Sequence, residues 1–195
     1  MPHSTGSIRT TGPRWARAGC YRRSQLTREL RQWLLDPASL TRRLVDACPG
    51  RFRVRVEFQG WGRPRRDEAQ ALGLRDRRFA LIREVHLFCD DTPWVFARTV
   101  IPARTLGGRR RRLARLGERP LGAVLFADPG MAREPVELAA IRPGSELYRH
   151  AVAGTRARPA VIWGRRSVFR LDGRPLLVSE IFLPRVVRAL SGCRA

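Results

Sequence analysis

Residues 79–101 read FALIREVHLFCDDTPWVFARTVI, with an apolar run on either side of the polar segment Asp90–Pro93. Runs of β-branched and aromatic residues around a polar turn are typical of a β-hairpin. Residues two apart in a strand share a face, so each predicted strand places one arginine among apolar neighbours, Arg83 in the first and Arg98 in the second. A charge on an apolar face is costly unless it is paired, and an anionic ligand is one way to pair it.

The segments around this hairpin predict helices first and mostly strands afterwards. Apolar residues at helical spacing predict helices over 26–35 and 39–48, and strict alternation predicts a strand over 51–58. A second hairpin is predicted over 160–183, with its turn at Asp172–Gly173. Weaker patterns predict one helical turn near 68–72, a basic helix over 105–116, a strand over 136–141 and a helix over 144–152. Because no βαβ alternation is present, we expect a single α+β domain with an antiparallel sheet of about six strands.

The length of 195 residues suits one domain with a sizeable core. Residues 1–24 hold no acidic residue and predict a disordered, basic N-terminal extension. Their composition is also that of an organellar transit peptide, but they show no clear amphipathic helix. We expect the folded domain over 25–188 and a flexible tail over 189–195. No apolar run approaches the ~20 residues that cross a bilayer, so stable membrane insertion is not expected.

The net charge of +22 raises the question of a nucleic-acid or acidic-membrane partner. All 39 basic residues are arginine, however, and they are spread along the chain instead of being concentrated in one arm. The one dense cluster, Arg109–Arg112, lacks interleaved aromatic residues. The pattern therefore favours solvated arginines, and we do not expect a nucleic-acid partner.

The four cysteines are far apart and have no metal-ligand spacing with one another or with the histidines. Two disulfides are possible in principle, but no spacing favours them. Scattered cysteines of this kind are typical of free thiols in a reducing cytoplasm, which is the location we expect. We expect no metal site.

Glu180 is a lone carboxylate in the last predicted strand, with Val178 and Phe182 as its face-mates. A carboxylate in such a place either pairs with an arginine for structure or serves in proton transfer. Three arginines are candidates to accompany it in an anion pocket: Arg83, Arg98 and Arg165. Arginine suits planar carboxylates because it forms bidentate hydrogen bonds, and more than one arginine suggests a ligand with more than one carboxylate.

Five segments, in order along residues 26–184, resemble the bacterial chorismate lyase family. They are LIREVHL from 81, PWVFARTVIP from 93, LGERPLG from 116, WGRRS from 163 and PLLVSEIFLP from 175. The resemblance implies a compact antiparallel sheet with helical flaps over a buried ligand. It also implies removal of pyruvate from chorismate to give 4-hydroxybenzoate for ubiquinone biosynthesis, a carbon–oxygen lyase reaction without metal or cofactor.

The resemblance also implies roles for individual residues. Arg83 is implied as a catalytic residue that clamps a carboxylate, and Glu180 as the catalytic residue that either orients the 4-hydroxyl side or moves a proton. Further substrate- or product-binding positions are implied at Leu40, Arg98, Leu121 and Gly122, the last two through backbone N–H groups. The second carboxylate is left to Arg98 or Arg165, unless these hold the sheet framework. Ala97 stands where the family has a glycine.

A second interpretation of the same fold is a non-catalytic domain that senses a small anion, as in some bacterial transcription regulators. The enzyme interpretation implies chorismate and 4-hydroxybenzoate as its small-molecule partners. Because no exposed apolar stripe is evident, we expect a monomer.

Overall fold

The hairpin predicted over 79–101 lies within the sheet of the computed structural model, which describes residues 12–22, 25–75 and 78–187. Its strands are β3 (Ala80–Cys89) and β4 (Thr92–Pro102), which pair antiparallel. The turn residue Asp90 has a φ of 51°, a left-handed conformation that aspartate tolerates better than most residues. The hairpin prediction is therefore confirmed.

The described residues form an eight-stranded antiparallel sheet accompanied by short helices. The remaining strands are β1 (Ala16–Arg17), β2 (Phe52–Gly62), β5 (Met131–Arg133), β6 (Glu137–Ile141), β7 (Ile162–Leu171) and β8 (Arg174–Phe182). The order is β1-β6-β7-β8-β4-β3-β2, with β5 also paired to β7. The α+β prediction is confirmed. The sheet exceeds the predicted six strands because β1 and β5 are too short to show alternation.

The α-helices that lie wholly within the described ranges connect or cover these strands: α1 (Arg28–Leu34), α2 (Leu40–Ala47), α3 (Arg66–Ala71), α4 (Leu121–Phe126) and α5 (Glu146–Ala151). The predicted basic helix over 105–116 is a 3-10 helix at Gly108–Arg115, with Leu113 buried. Thr27 caps α1 by accepting a hydrogen bond from the Leu30 N–H, which satisfies a donor of the first turn. No helix in the described ranges has the length and apolar character needed to span a membrane.

The helices divide between the two faces of the sheet. On one face, α4 packs through Leu121 and Leu125 against Phe169 and Val178, beside α2. On the opposite face, α5 packs with Phe96 and Ile181, which belong to a separate apolar cluster. The sheet therefore has two covered faces, and its two sets of side chains lie in different surroundings.

The structure changes one of the two predictions about the ends of the chain. Within the predicted disordered extension over 1–24, residues 16–17 form β1 and pair with β6, so the ordered chain begins earlier than predicted. Tyr21 also packs edge-on against Trp163 and donates a hydrogen bond to the Leu138 carbonyl. Residues 1–11 and 23–24, together with the predicted flexible tail over 189–195, lie outside the described residues.

The prediction of free thiols is wrong for one pair of cysteines. Cys48 and Cys89 form a disulfide with a Cα–Cα distance of 5.6 Å, whereas Cys20 is free and exposed. Cys48 follows the end of α2, and Cys89 is the last residue of β3. Their proximity depends on packing between a helix and a strand, which sequence spacing does not reveal. The disulfide ties the C-terminal end of α2 to the hairpin.

We expect the double substitution Cys48→Ala and Cys89→Ala to destabilise the fold. The bonded residues are 41 apart, and closing such a loop in the unfolded chain corresponds to ~4 kcal/mol as an upper estimate. Guanidinium unfolding without reductant measures the change, with Cys20→Ala as the matched control that leaves stability unchanged. An unfolding midpoint shared by the double variant and the control would contradict the structural role of the disulfide.

Candidate active site

A pocket lies between the sheet and the helices α2 and α4. Its floor is formed by side chains of β3, β4, β7 and β8 that point to the same face. Among the described side chains that line it, the ionisable ones are Arg83, Arg133, Arg165 and Glu180, and most of the others are apolar. A mostly apolar pocket with a few convergent polar groups is the usual form of a small-molecule site.

Arg83 is a buried cation that forms no ion pair with a carboxylate of the described residues. It is 2 % exposed, and its Nη2 donates to the carbonyl oxygens of Gly117 at 2.7 Å and Arg119 at 3.3 Å. Its Nε is buried without a hydrogen-bond partner, and no ion pair joins Arg83 to a carboxylate of the described residues. Burial lowers the pKa of Arg83. Arg83 therefore brings to the pocket an unused N–H donor and a charge that no described carboxylate neutralises.

Glu180 faces the same pocket from β8 and is paired with Arg165. The Arg165 Nε donates to Glu180 Oε2 at 2.6 Å, and the two residues are directly opposite in the β7–β8 register. The Arg165 Nη1 also donates to the carbonyls of Trp33 and Asp36, which fixes the end of α1. The structural ion pair considered from the sequence therefore exists. Glu180 keeps 19 % of its side chain exposed and lines the pocket, so pairing leaves it accessible to a ligand.

Ala97 is the β4 residue opposite Glu180 in register, and it also lines the pocket. Its methyl group lies on the floor between the strands that carry Arg83 and Glu180. A small residue at this position leaves space for a ligand between those two side chains.

The two helices above the pocket approach each other closely at Gly122. A Cβ atom added there would lie 3.0 Å from Thr41 Oγ1 and 3.1 Å from Ser39 Oγ, both at the start of α2. Leu40, Leu121 and Gly122 line the pocket. The first-turn N–H groups of α4 have no partner within the helix, so they are available at this wall.

Arg98 is not brought to the pocket, contrary to the role implied for it as a binding residue. It points to the opposite face, where it donates to Glu68 at 2.7 and 3.0 Å and to Glu84 at 2.6 Å. Burial alone would lower the pKa of Arg98, but hydrogen bonds and charge from Glu68 and Glu84 raise it overall. His150 Nδ1 lies 3.0 Å from both oxygens of Glu84. This buried network holds α3 and α5 to the sheet.

The two hairpin arginines lie on opposite faces because of the β3–β4 register. Arg83 pairs with Thr99, whereas Glu84 pairs with Arg98. Alternation within each strand shows which residues share a face, but it does not show how the two strands are aligned.

Arg133 is a charged pocket residue that could not be recognised from the sequence. It ends the three-residue strand β5, which pairs with the edge of β7. A strand this short carries no recognisable alternation, and neighbouring residues in the sequence give Arg133 no special context. Only the folded arrangement brings it beside Glu180 and Arg165.

A family model described as chorismate lyase matches residues 15–190. The chain is 50 % identical over 164 residues to the probable chorismate pyruvate-lyase of Azoarcus sp., covering 82 % of this chain and 86 % of that protein. It is 46 % identical over 158 residues to the probable chorismate pyruvate-lyase of Methylococcus capsulatus, covering 81 % and 96 %.

Solved structures with a similar fold include transcription regulators. The C-terminal domain of the histidine utilization repressor from Pseudomonas syringae has a TM-score of 0.53 at 13 % identity, covering 69 % of this chain and 93 % of that chain. A GntR-family regulator from Bacillus cereus has a TM-score of 0.51 at 15 % identity, covering 69 % and 92 %. At these identities the similarity shows the fold alone.

The same substitution should destabilise the fold strongly at Arg98 and only slightly at Arg83. Arg98→Met leaves Glu68 and Glu84 buried without their main cation, and we expect a loss of ~3–5 kcal/mol in the free energy of unfolding. Arg83→Met removes a cation that has no carboxylate partner among the described residues, so we expect a change of less than ~1 kcal/mol without ligand. Urea unfolding of both variants measures the difference. Equal destabilisation would contradict the distinction between a paired and an unpaired arginine.

Proposed function

This chain belongs to the chorismate lyase family, and we propose that it eliminates pyruvate from chorismate to give 4-hydroxybenzoate at the entry to ubiquinone biosynthesis. The reaction cleaves a carbon–oxygen bond and requires no metal or cofactor. The observation that carries the proposal is the buried, unpaired Arg83 in the same pocket as the accessible carboxylate of Glu180.

The positions of these two residues suit the two ends of a chorismate ring. One strand, β4, lies between the strands that carry Arg83 and Glu180, and the two residues are offset by two positions along the register. At typical strand spacings their Cα atoms are ~12 Å apart, and the two side chains reach towards each other across the floor. One six-membered ring then lies with its C1 carboxylate at Arg83 and its C4 side at Glu180.

Arg83 supplies the charge for the ring carboxylate. The free Nε hydrogen and the guanidinium charge bind a planar carboxylate, aided by the first-turn N–H groups of α4 at Leu121 and Gly122, which have no partner within the helix. The ligand supplies the negative charge that no described carboxylate provides for Arg83. Binding therefore removes the cost of an uncompensated buried charge.

The chemistry breaks two bonds on adjacent ring carbons. The C3–O bond to the enolpyruvyl group breaks, and the C4–H bond electrons complete the aromatic ring. The proton from C4 ends on the methylene carbon of the departing group, which becomes pyruvate. Because an aromatic ring forms, the protein mainly has to hold the conformer in which both bonds break, which is catalysis by orientation.

Glu180 acts at the C4 side of the ring. Its pairing with the buried Arg165 holds the carboxylate on the pocket floor, and its exposed portion faces the ligand space. There it accepts a hydrogen bond from the C4 hydroxyl group and stands next to the C4–H bond that breaks. Arg165 is a positioning residue, since its Nε donates to Glu180 and its Nη1 donates to carbonyls at the end of α1.

We propose that the protein acts as a monomer in the bacterial cytoplasm. Analytical ultracentrifugation with and without chorismate tests the first statement, and a dimer in both conditions would contradict it. Fractionation of the native cells tests the second, since accumulation in the periplasm would place the protein elsewhere.

We expect the purified protein to convert chorismate to equal amounts of pyruvate and 4-hydroxybenzoate, with the same rate in the presence of EDTA. Coupled pyruvate detection and chromatography of the aromatic product measure the two yields. Chorismate that binds but persists at saturating concentration would instead favour an anion-sensing domain. Loss of turnover in EDTA would overturn the statement that no metal is required.

We expect Glu180→Gln to lower kcat by at least ~100-fold, since glutamine keeps an acceptor oxygen but loses the negative charge and the ability to take a proton. Circular dichroism establishes that the variant is folded. The matched control is Glu146→Gln, on α5 at the opposite face, where the glutamate is bound to Arg65. Full specific activity in folded Glu180→Gln protein would reduce Glu180 to a structural partner of Arg165.

A further inference from the structure

The charges lining the pocket do not balance. Of the ionisable side chains described there, three are arginines and one is a glutamate, which leaves a formal excess of two positive charges. Arg165 is matched by Glu180 at 2.6 Å, so the excess belongs to Arg83 and Arg133. Two uncompensated guanidinium groups in one pocket match a ligand with two carboxylates.

Arg133 is held firmly from three directions. Its Nε donates to Ser167 Oγ at 3.0 Å, and its guanidinium lies 5.2 Å above the Phe169 ring centroid. Its Nη1 donates to the carbonyls of Pro37 at 2.9 Å and Asp36 at 3.3 Å. Both carbonyls belong to the segment between α1 and α2. The side chain is therefore preorganised before a ligand arrives.

The remaining nitrogen of Arg133 is available. Its Nη2 makes no hydrogen bond with the described residues, and no described carboxylate forms an ion pair with Arg133. Burial and the nearby charge of Arg165 lower the pKa of Arg133, while Glu180 and Asp36 raise it less. The guanidinium thus lies among charges that do not fully compensate it.

Arg133 lies at the end of the pocket occupied by Glu180. Arg133 and Arg165 both donate to the same Asp36 carbonyl, and Arg165 also donates to Glu180. The Arg133 side chain is therefore separated from Glu180 by little more than the width of one guanidinium group. Arg83 lies at the other end, two strands away.

We propose that Arg133 binds the second carboxylate of the substrate, the one carried by the enolpyruvyl group. This inference rests on the proposed function, because it requires chorismate as the ligand. The enolpyruvyl ether is attached at C3, next to the C4 carbon that faces Glu180, so its carboxylate reaches the end of the pocket where Arg133 is unpaired. The aromatic product has lost this group and retains only the carboxylate at Arg83.

The assignment separates the two arginines by the ligands that they recognise. Arg83 contacts the ring carboxylate, which is present in both substrate and product. Arg133 contacts a carboxylate that is present in the substrate and leaves with pyruvate. Removal of Arg133 should therefore weaken the substrate selectively, whereas removal of Arg83 should weaken both ligands.

The test is Arg133→Met, which keeps an unbranched apolar stem over Phe169 and removes the charge. We expect kcat/KM for chorismate to fall by about 100-fold, mainly through KM, from loss of a partly buried charge pair. We expect the Kd of 4-hydroxybenzoate, measured by titration calorimetry, to change by less than about threefold. Arg133→Lys should recover part of the KM because an ammonium group still pairs with a carboxylate as a point charge.

Arg149→Met is the matched control, since it removes one exposed positive charge from α5 on the opposite face. Equal weakening of chorismate and 4-hydroxybenzoate by Arg133→Met would show that Arg133 only holds the 36–37 segment. Unchanged binding of chorismate and of 4-hydroxybenzoate would show that Arg133 contributes to the binding of neither ligand. If Arg133→Met fails to fold, the same two ligands are compared with Arg133→Lys. An unchanged KM for chorismate in that variant, together with weaker binding of 4-hydroxybenzoate, would overturn the assignment.

The proposed function and this assignment fail in distinguishable ways. A wild-type protein that binds chorismate without turnover would overturn the lyase proposal. The effect of Arg133→Met on the ratio of the two Kd values would still decide whether Arg133 reads the second carboxylate.

Discussion

The unpaired charge of Arg83 is the constraint on which the rest of the site depends. A guanidinium group that is 2 % exposed and has a buried Nε without a partner is an unusual feature in a folded core. The fold tolerates it because two backbone carbonyls share the Nη2 group and because α2 and α4 enclose the space in front of it. Under the proposed function, the ligand supplies the missing anion and removes the cost of the uncompensated charge of Arg83.

The opposite face of the sheet shows how the same protein treats a charge that serves structure. Arg98 is satisfied by Glu68 and Glu84, and Glu84 also contacts His150. Burial alone would raise the pKa of Glu68, but the bonds and charge of Arg98 lower it below its usual value. The sheet thus separates a neutralised network, which fastens α3 and α5, from a pocket with excess positive charge. The central strands contribute to both, since Arg83 and Glu84 are neighbours in β3.

Much of this arrangement could be predicted from the sequence because it is encoded locally. Alternation and the Asp-Gly turn predict the two hairpins, and a lone acidic residue among apolar face-mates draws attention to Glu180. Three features could not be found in this way. The face of Arg98 depends on strand register, the position of Arg133 depends on a three-residue strand, and the Cys48–Cys89 bond depends on helix–sheet packing. Each depends on contacts between segments that are far apart in the sequence, and the spacing of residues along the chain does not reveal such contacts.

The most direct measurement is a crystal structure of the protein with 4-hydroxybenzoate. We expect the product in the pocket under α2 and α4, with its carboxylate within hydrogen-bond distance of Arg83 Nε and its hydroxyl group directed at Glu180. A product bound in the reverse orientation, with the carboxylate away from Arg83, would contradict the central claim, as would a product bound outside this pocket.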